Sequence, residues 1–253
     1  MYKTIFITGA TSGFGKATAE KFAKENYRII ITGRRVERLK AVSDELKKNF
    51  NAEVFTLEFD VRNKVVVEAA INSLPEKWKQ VDILVNNAGL ASGFDFIQEG
   101  NTDDWDVMID TNLKGLLYVT RAVSPMMVER KQGHIFNIGS TAGKVVYERG
   151  NVYCATKFAV DALSQSMRID MLKHNIKVTA IHPGAAETEF SLVRFKGDEE
   201  KAKQAYKGYQ PLAAEDIANT VYYCATLPPH VCINDLVITS TAQASAIYFN
   251  KQL

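Results

Sequence analysis

The chain of 253 residues carries 31 Lys and Arg against 29 Asp and Glu, a formal charge of +2, with 46% apolar and 24% charged residues. That balance belongs to a globular protein able to bury a sizeable core, and it offers no basic excess for nucleic acid or an anionic membrane surface. No apolar run approaches the ~20 residues that cross a bilayer.

The opening passes straight into a strand-like run without a signal-peptide pattern, and the ending Lys251-Gln252-Leu253 does not match the S-K-L address. Cys154, Cys224 and Cys232 form no C-x-x-C pair, so reduced thiols in a cytoplasmic protein are expected. His134, His174, His182 and His230 lack metal-ligand spacing, so no metal is expected.

Residues 3–8 predict a buried strand, followed by Gly9-Ala10-Thr11-Ser12-Gly13-Phe14-Gly15 and a helix from Lys16 to Glu25. Strand, glycine turn and helix are the context of a dinucleotide-binding loop. Gly9 permits the tight turn, Gly13 lets the backbone approach a pyrophosphate, and Gly15 lets the helix pack closely. Thr11, Ser12 and Phe14 complete the expected cofactor contacts, and the helix N-terminus offers unpaired N–H groups to phosphate. The spacing is G-x-x-x-G-x-G where the general fingerprint is G-x-G-x-x-G, so a glycine turn without a nucleotide is the competing reading.

A second strand, Arg28 to Thr32, ends in Gly33-Arg34-Arg35. About 20 residues past the glycines, an acidic side chain suits the ribose 2′-hydroxyl of NAD, whereas arginine suits a 2′-phosphate. With no carboxylate from Thr32 to Arg35, the cofactor expected is NADP. A helix runs from about Val36 to Lys48, then a third strand from Glu53 to Phe59 ends at Asp60-Val61. Asp60 is placed either to accept from an adenine amino group or to cap the next helix.

The fourth strand, Asp82 to Val85, runs into Asn86-Asn87-Ala88-Gly89, small and amide residues at a strand's carboxyl end where ligands bind. Thr102 to Arg130 reads as helix broken near Pro125, with Trp105, Met108 and Ile109 as its buried stripe. Asn112 inside it marks a kink, a bound water or a plain exposed position.

A fifth strand, Gly133 to Gly139, delivers Ser140 at its carboxyl end. No histidine–acid pair stands beside Ser140 in the sequence, which argues against a hydrolase nucleophile and for a donor that polarises a carbonyl. Across the Lys144–Asn151 loop, Tyr153 and Lys157 share one helical face at i and i+4. Nearby positive charge is expected to favour the Tyr153 phenolate.

These motifs, together with Pro183-Gly184, resemble in order and spacing the short-chain dehydrogenases/reductases over about residues 3 to 240. Gly33-Arg34-Arg35, Asn137 to Gly143 and Val193 to Asp198 are most similar to the subgroup of NADP-dependent 3-hydroxy acid dehydrogenases. The resemblance implies a doubly wound Rossmann-type α/β fold, seven parallel strands with helices on both faces, in one domain spanning 1–253. It also implies a homotetramer acting on a small-molecule substrate.

By the same resemblance Ser140 holds the reacting oxygen, Tyr153 transfers the proton and Lys157 anchors the nicotinamide ribose. Asn112 holds a relay water, and Pro183, Gly184 and Thr188 close over the nicotinamide. Small residues Ala155, Ala159, Ala162 and Ser166 suit close helix approach, within the chain or between subunits. Residues 189–210 are expected as a substrate flap with a solvated helix near Gly197 to Lys207. On it, Arg194 or Lys196 would hold a substrate carboxylate, Arg194 in a bidentate way. The competing readings are reduction of neutral aldehydes, ketones or diketones, and a catalytically silent NADP-binding protein.

Overall fold

The runs TIFI, RIIITG, VDILVN, GHIFNI and IKVTAIHP are apolar with little alternation, and such strands are stable only where both faces are covered. The computed structural model describes residues 3–252. In it these runs lie inside a wholly parallel seven-stranded sheet of order β3-β2-β1-β4-β5-β6-β7. The strands are β1 (Thr4–Ile7), β2 (Arg28–Gly33), β3 (Val54–Glu58), β4 (Val81–Asn86), β5 (Gly133–Ile138), β6 (Ile176–Pro183) and β7 (Asp235–Ile238). The expected doubly wound sheet is therefore present. The final residue of the Lys251-Gln252-Leu253 ending and the first two residues of the chain lie outside the described residues.

The helices are α1 (Gly13–Lys24), α2 (Val36–Phe50), α3 (Lys64–Asn72), α4 (Thr102–Ile109), α5 (Leu116–Arg130), α6 (Asn151–Asp170), α7 (Glu189–Arg194), α8 (Glu199–Gln204) and α9 (Ala214–Thr226). Strand alternation divides the core. Ile5 and Ile7 face the layer of α1, α2 and α9 with Phe22, Leu46, Ile217 and Val221. Phe6 faces the layer of α3, α5 and α6 with Ile71, Val119, Met127 and Val160. Each such side chain contributes roughly 1.5–3 kcal/mol on burial. The strand order reverses between β1 and β4, and a crevice opens there at the carboxyl ends.

Three local expectations are corrected. The helix predicted from Thr102 to Arg130 is not broken at Pro125, which lies inside α5. Its irregularity is a π-helical turn, Asp110–Gly115, centred on Asn112. The Asn112 side chain binds across to Leu90 and draws the backbone out of α-helical register there. Asp60 does not cap α3, because Asn63 does, accepting from the Val66 N–H at 3.2 Å. The flap helix is shorter than Gly197 to Lys207, since α8 covers only Glu199–Gln204 and buries none of its residues.

Candidate active site

The crevice is a cleft of about 790 Å³ walled by the carboxyl ends of the central strands and by α7. Its floor is the turn after β1. Gly9 and Gly13 adopt left-handed backbone, at φ +64 and +51. A Cβ on Gly9 would lie 2.9 Å from Ala88 Cα, and one on Gly15 would strike the Gly9 carbonyl and the Asn87 amide. Gly15 is thus a packing glycine and, unlike the cofactor contact expected of it, does not line the cleft, whereas Gly9, Thr11, Ser12, Gly13 and Phe14 do.

Asn87 locks the turn by donating to the carbonyls of Thr8 and Gly9 at 2.9 and 3.1 Å. Thr8 Oγ1 returns the tie, accepting from the N–H groups of Asn87 and Ala88. Ser12, the N-cap of α1, makes no side-chain cap bond, and the first turn carries no acid. Its N–H groups are therefore presented to an anion in the cleft. This uncapped, glycine-turned helix end fits a dinucleotide's phosphates.

At the end of β2, Arg34 and Arg35 line the cleft. Arg34 lies 3.7 Å from Asp60, and Arg35 donates to Thr11 Oγ1 at 3.0 Å. Arg62 grips the Asp60 carboxylate through two nitrogens, at 3.0 and 2.6 Å. Burial pushes the Asp60 carboxyl up, but the bonds from Arg62 and the charges of Arg62 and Arg34 outweigh it and hold it below the ordinary value. Val61, Asn87, Ala88, Gly89, Pro183, Gly184 and Thr188 also line the wall. One contributor was not foreseen. Gln243, buried in the C-terminal segment, accepts from the Ala185 N–H at 2.8 Å and so fixes the turn after β6.

Tyr153 and Lys157 lie buried on one face of α6, and with Ser140 they border the cleft. Ser140 caps a short 3-10 turn, accepting from the Ala142 N–H at 3.1 Å. The expected electrostatics require a correction. Lys157 Nζ donates to the Ile138 carbonyl at 2.9 Å and lies 5.8 Å from the centre of the Tyr153 ring.

Burial raises the Tyr153 phenol well above its ordinary value, and Tyr147 adds to this. The Ser140 side chain and the Arg194 charge offset only part of the rise. Burial also lowers Lys157, to about 8. Asn112 does not reach the cleft. Its carbonyl accepts from Leu90 N–H at 2.8 Å, and its amide donates to Leu90 C=O and Thr156 Oγ1 at 2.8 and 3.1 Å. Its side chain braces the wall behind Lys157.

A histidine–acid pair does stand near Ser140, contrary to the sequence reading. The fully buried His182 lies 2.9 Å from Asp235 and 3.9 Å from Asp161 through Nε2, with Nδ1 3.3 Å from the Ser140 carbonyl oxygen. It meets the serine's backbone and not its hydroxyl, so a hydrolytic triad is still not formed. These three side chains also make one group of metal-ligand type. The ammonium of Lys144 already lies against both carboxylates, at 2.9 and 2.7 Å.

Of the two candidate anion residues on the flap, Lys196 does not line the cleft and pairs with Asp104 at 2.7 Å. Arg194 does line it. Its guanidinium lies 4.6, 5.4 and 5.7 Å from the ring centres of Phe94, Tyr147 and Tyr153. Its Nη1 donates to the Tyr147 hydroxyl at 3.0 Å, and its buried Nε has no partner among the described residues.

An uncapped glycine turn leading to a Ser–Tyr–Lys group at the switch point of a parallel sheet is the arrangement of a dinucleotide-dependent oxidoreductase. Comparison with known proteins then fixes the family. The model of the short chain dehydrogenases matches residues 3–198, and the chain belongs to that family. It is 49% identical over 243 residues to an NADP-dependent 3-hydroxy acid dehydrogenase of Salmonella typhi, with 96% of each protein covered. It is 44% identical over 246 residues to the serine 3-dehydrogenase of Rhizobium radiobacter, with 97% of each covered. A solved closed form of a serine dehydrogenase complexed with NADP+ matches at TM-score 0.91 and 46% identity, covering 98% of this chain and 100% of that one.

Proposed function

We propose that the chain is an NADP-dependent dehydrogenase of small 3-hydroxy acids such as serine, allo-threonine or 3-hydroxypropionate. The observation that carries this substrate class is Arg194. A guanidinium with an unpartnered buried nitrogen beside Tyr153 is the group that would hold a carboxylate next to the reacting carbon. Arg34 and Arg35, in a Thr32 to Arg35 stretch that contains no acid, support NADP.

Bound NADP supplies or accepts the hydride. Ser140 would hold the reacting oxygen by its hydroxyl, and Tyr153 would pass the proton. The upward shift of Tyr153 keeps it protonated at neutral pH, which suits donation to an oxygen that becomes an alkoxide. Lys157 would hold the nicotinamide ribose, and Asn112 keeps the wall behind it in place for a relay water.

Residues 189–210 form a flap over this end within one domain of the whole chain. Subunit packing is supported by an outward face of α6 that is left exposed among the described residues. It includes Ala155, Ala162 and Ser166 beside Phe158 and Ile169, the last two 42% and 75% exposed. We therefore expect a cytoplasmic homotetramer, and light scattering after gel filtration reads its mass. The functional test is NADPH formation with L-serine, 3-hydroxypropionate, L-allo-threonine and matched neutral alcohols, repeated with NAD. Faster turnover of the acids with NADP is expected. Activity confined to neutral substrates removes the carboxylate role of Arg194 and leaves a carbonyl reductase.

A further inference from the structure

The arginines at the adenosine end of the cleft carry a counter-ion that comes from the flap. Arg34 and Arg35 follow β2, and Arg38 lies in the first turn of α2. Glu189, the first residue of α7, reaches across the mouth of the cleft to them. Its two carboxylate oxygens accept from Arg38 Nη1 at 2.9 and 2.8 Å, and it lies 3.7 Å from Arg35. The preceding Thr188 packs on the glycine turn, 3.5 Å from where a Gly13 Cβ would stand, so this end of the flap rests directly on the cofactor loop. The other acid nearby, Asp60, is held in the fork of Arg62.

We propose that Glu189 stands in for the 2′-phosphate of NADP: it sits on Arg35 and Arg38, the phosphate displaces it, and it thereby tunes the preference for NADP over NAD. The inference rests on the NADP reading above, and it adds Arg38 to the cations of the site. A phosphate monoester carries close to two negative charges and binds Arg as a fork. A single exposed carboxylate is held weakly and gives way.

Glu189 and the phosphate cannot share the same cations without repulsion. A cofactor lacking the phosphate leaves Glu189 where it is and is indifferent to it. Because linkage is reciprocal, the contact that opposes the phosphate is one the phosphate releases from the flap.

Binding of NADPH and NADH, followed by quenching of protein fluorescence without turnover, tests this in the full chain. Glu189→Gln keeps the shape and removes the charge. It is expected to tighten NADPH by about three- to tenfold and to leave NADH within about twofold. Unchanged or weaker NADPH binding, or an equal gain for NADH, overturns the proposal. Arg35→Ala separates it from the reading beneath it. If Arg35→Ala fails to weaken NADPH selectively, Arg35 does not hold the phosphate, and the reading beneath the proposal falls with it. If Arg35→Ala is selective and Glu189→Gln is not, only the role of Glu189 falls.

Discussion

Replacing Lys157 with Met separates the lysine's effect on the fold from its work in the cleft. The residue is 7% exposed, and among the described residues the one hydrogen bond of its side chain is to the Ile138 carbonyl. Burial lowers its pKa from 10.5 to about 8. At ~1.4 kcal/mol per unit, holding the ammonium charged in the fold at pH 7 costs about 3 kcal/mol. Met has nearly the same length and no charge. Against that gain stands one buried carbonyl deprived of a donor, about 1–3 kcal/mol.

Lys157→Met is therefore expected to be between neutral and ~2 kcal/mol more stable than the parent at pH 7, by urea unfolding, while turnover collapses. The pH dependence gives an independent check. Between the folded value of about 8 and the unfolded 10.5, the unfolded chain binds more protons, so the parent's stability rises with pH. Tyr153 acts in the opposite sense only above 10, since its folded value lies higher than its unfolded one. Cys154 and Cys224, both raised by burial from 9, also titrate there in parent and variant alike, so the diagnostic quantity is the parent-minus-variant difference from pH 8 to 10, which should grow with pH. Destabilisation by more than ~2 kcal/mol at pH 7, with that difference flat from pH 8 to 10, would refute the reasoning.

Three further perturbations follow from the site and its surroundings. Tyr153→Phe should reduce turnover by about 10²–10⁴ while NADPH affinity stays within about twofold; near-normal turnover would sink its proton-transfer role. Arg194→Gln should raise KM for 3-hydroxy acids by about tenfold or more, the value of a charge-assisted bond, and leave neutral alcohols unaffected. An equal loss on both would make the residue purely structural. His134 is buried against Thr179 at 2.8 Å, and burial, with Lys177 nearby, lowers it to about 3. Between 3 and 6.5 the unfolded chain binds the extra proton, so stability falls as pH drops through that range, by up to about 5 kcal/mol. His134→Gln should flatten this limb in urea midpoints from pH 7 to 4, and an unaltered limb would show that the loss arises elsewhere.

The parallel sheet was legible because its signal is local. Ile29-Ile30-Ile31 has no alternation to suggest a half-exposed strand, and a turn-and-helix spacing between such runs admits few topologies. Gly15 could be read as a packing glycine for the same reason. The helix after Thr102 was half legible. Asn112 signalled an irregularity, but Pro125 drew the predicted break to itself, because a proline's cost is visible in sequence whereas the bonds from Asn112 to Leu90 are not.

What stayed hidden was set by side-chain ends meeting across the fold. His182, Asp161, Asp235 and Lys144 come from four separate segments, and Glu189 meets Arg38 across 151 positions. Tyr153 and Lys157 show the limit at short range as well. Spacing at i and i+4 puts two Cβ atoms on one face, but it does not say where a four-carbon stem delivers its charge. Here the stem delivers it to Ile138, the last residue of β5, because that carbonyl at the strand's end offers the ammonium a buried acceptor. The tyrosine keeps its proton, the lysine titrates within reach of neutral pH, and the strand that presents Ser140 also orients Lys157. A helical wheel shows the pair; only the sheet beneath it shows which member bears the electrostatic strain.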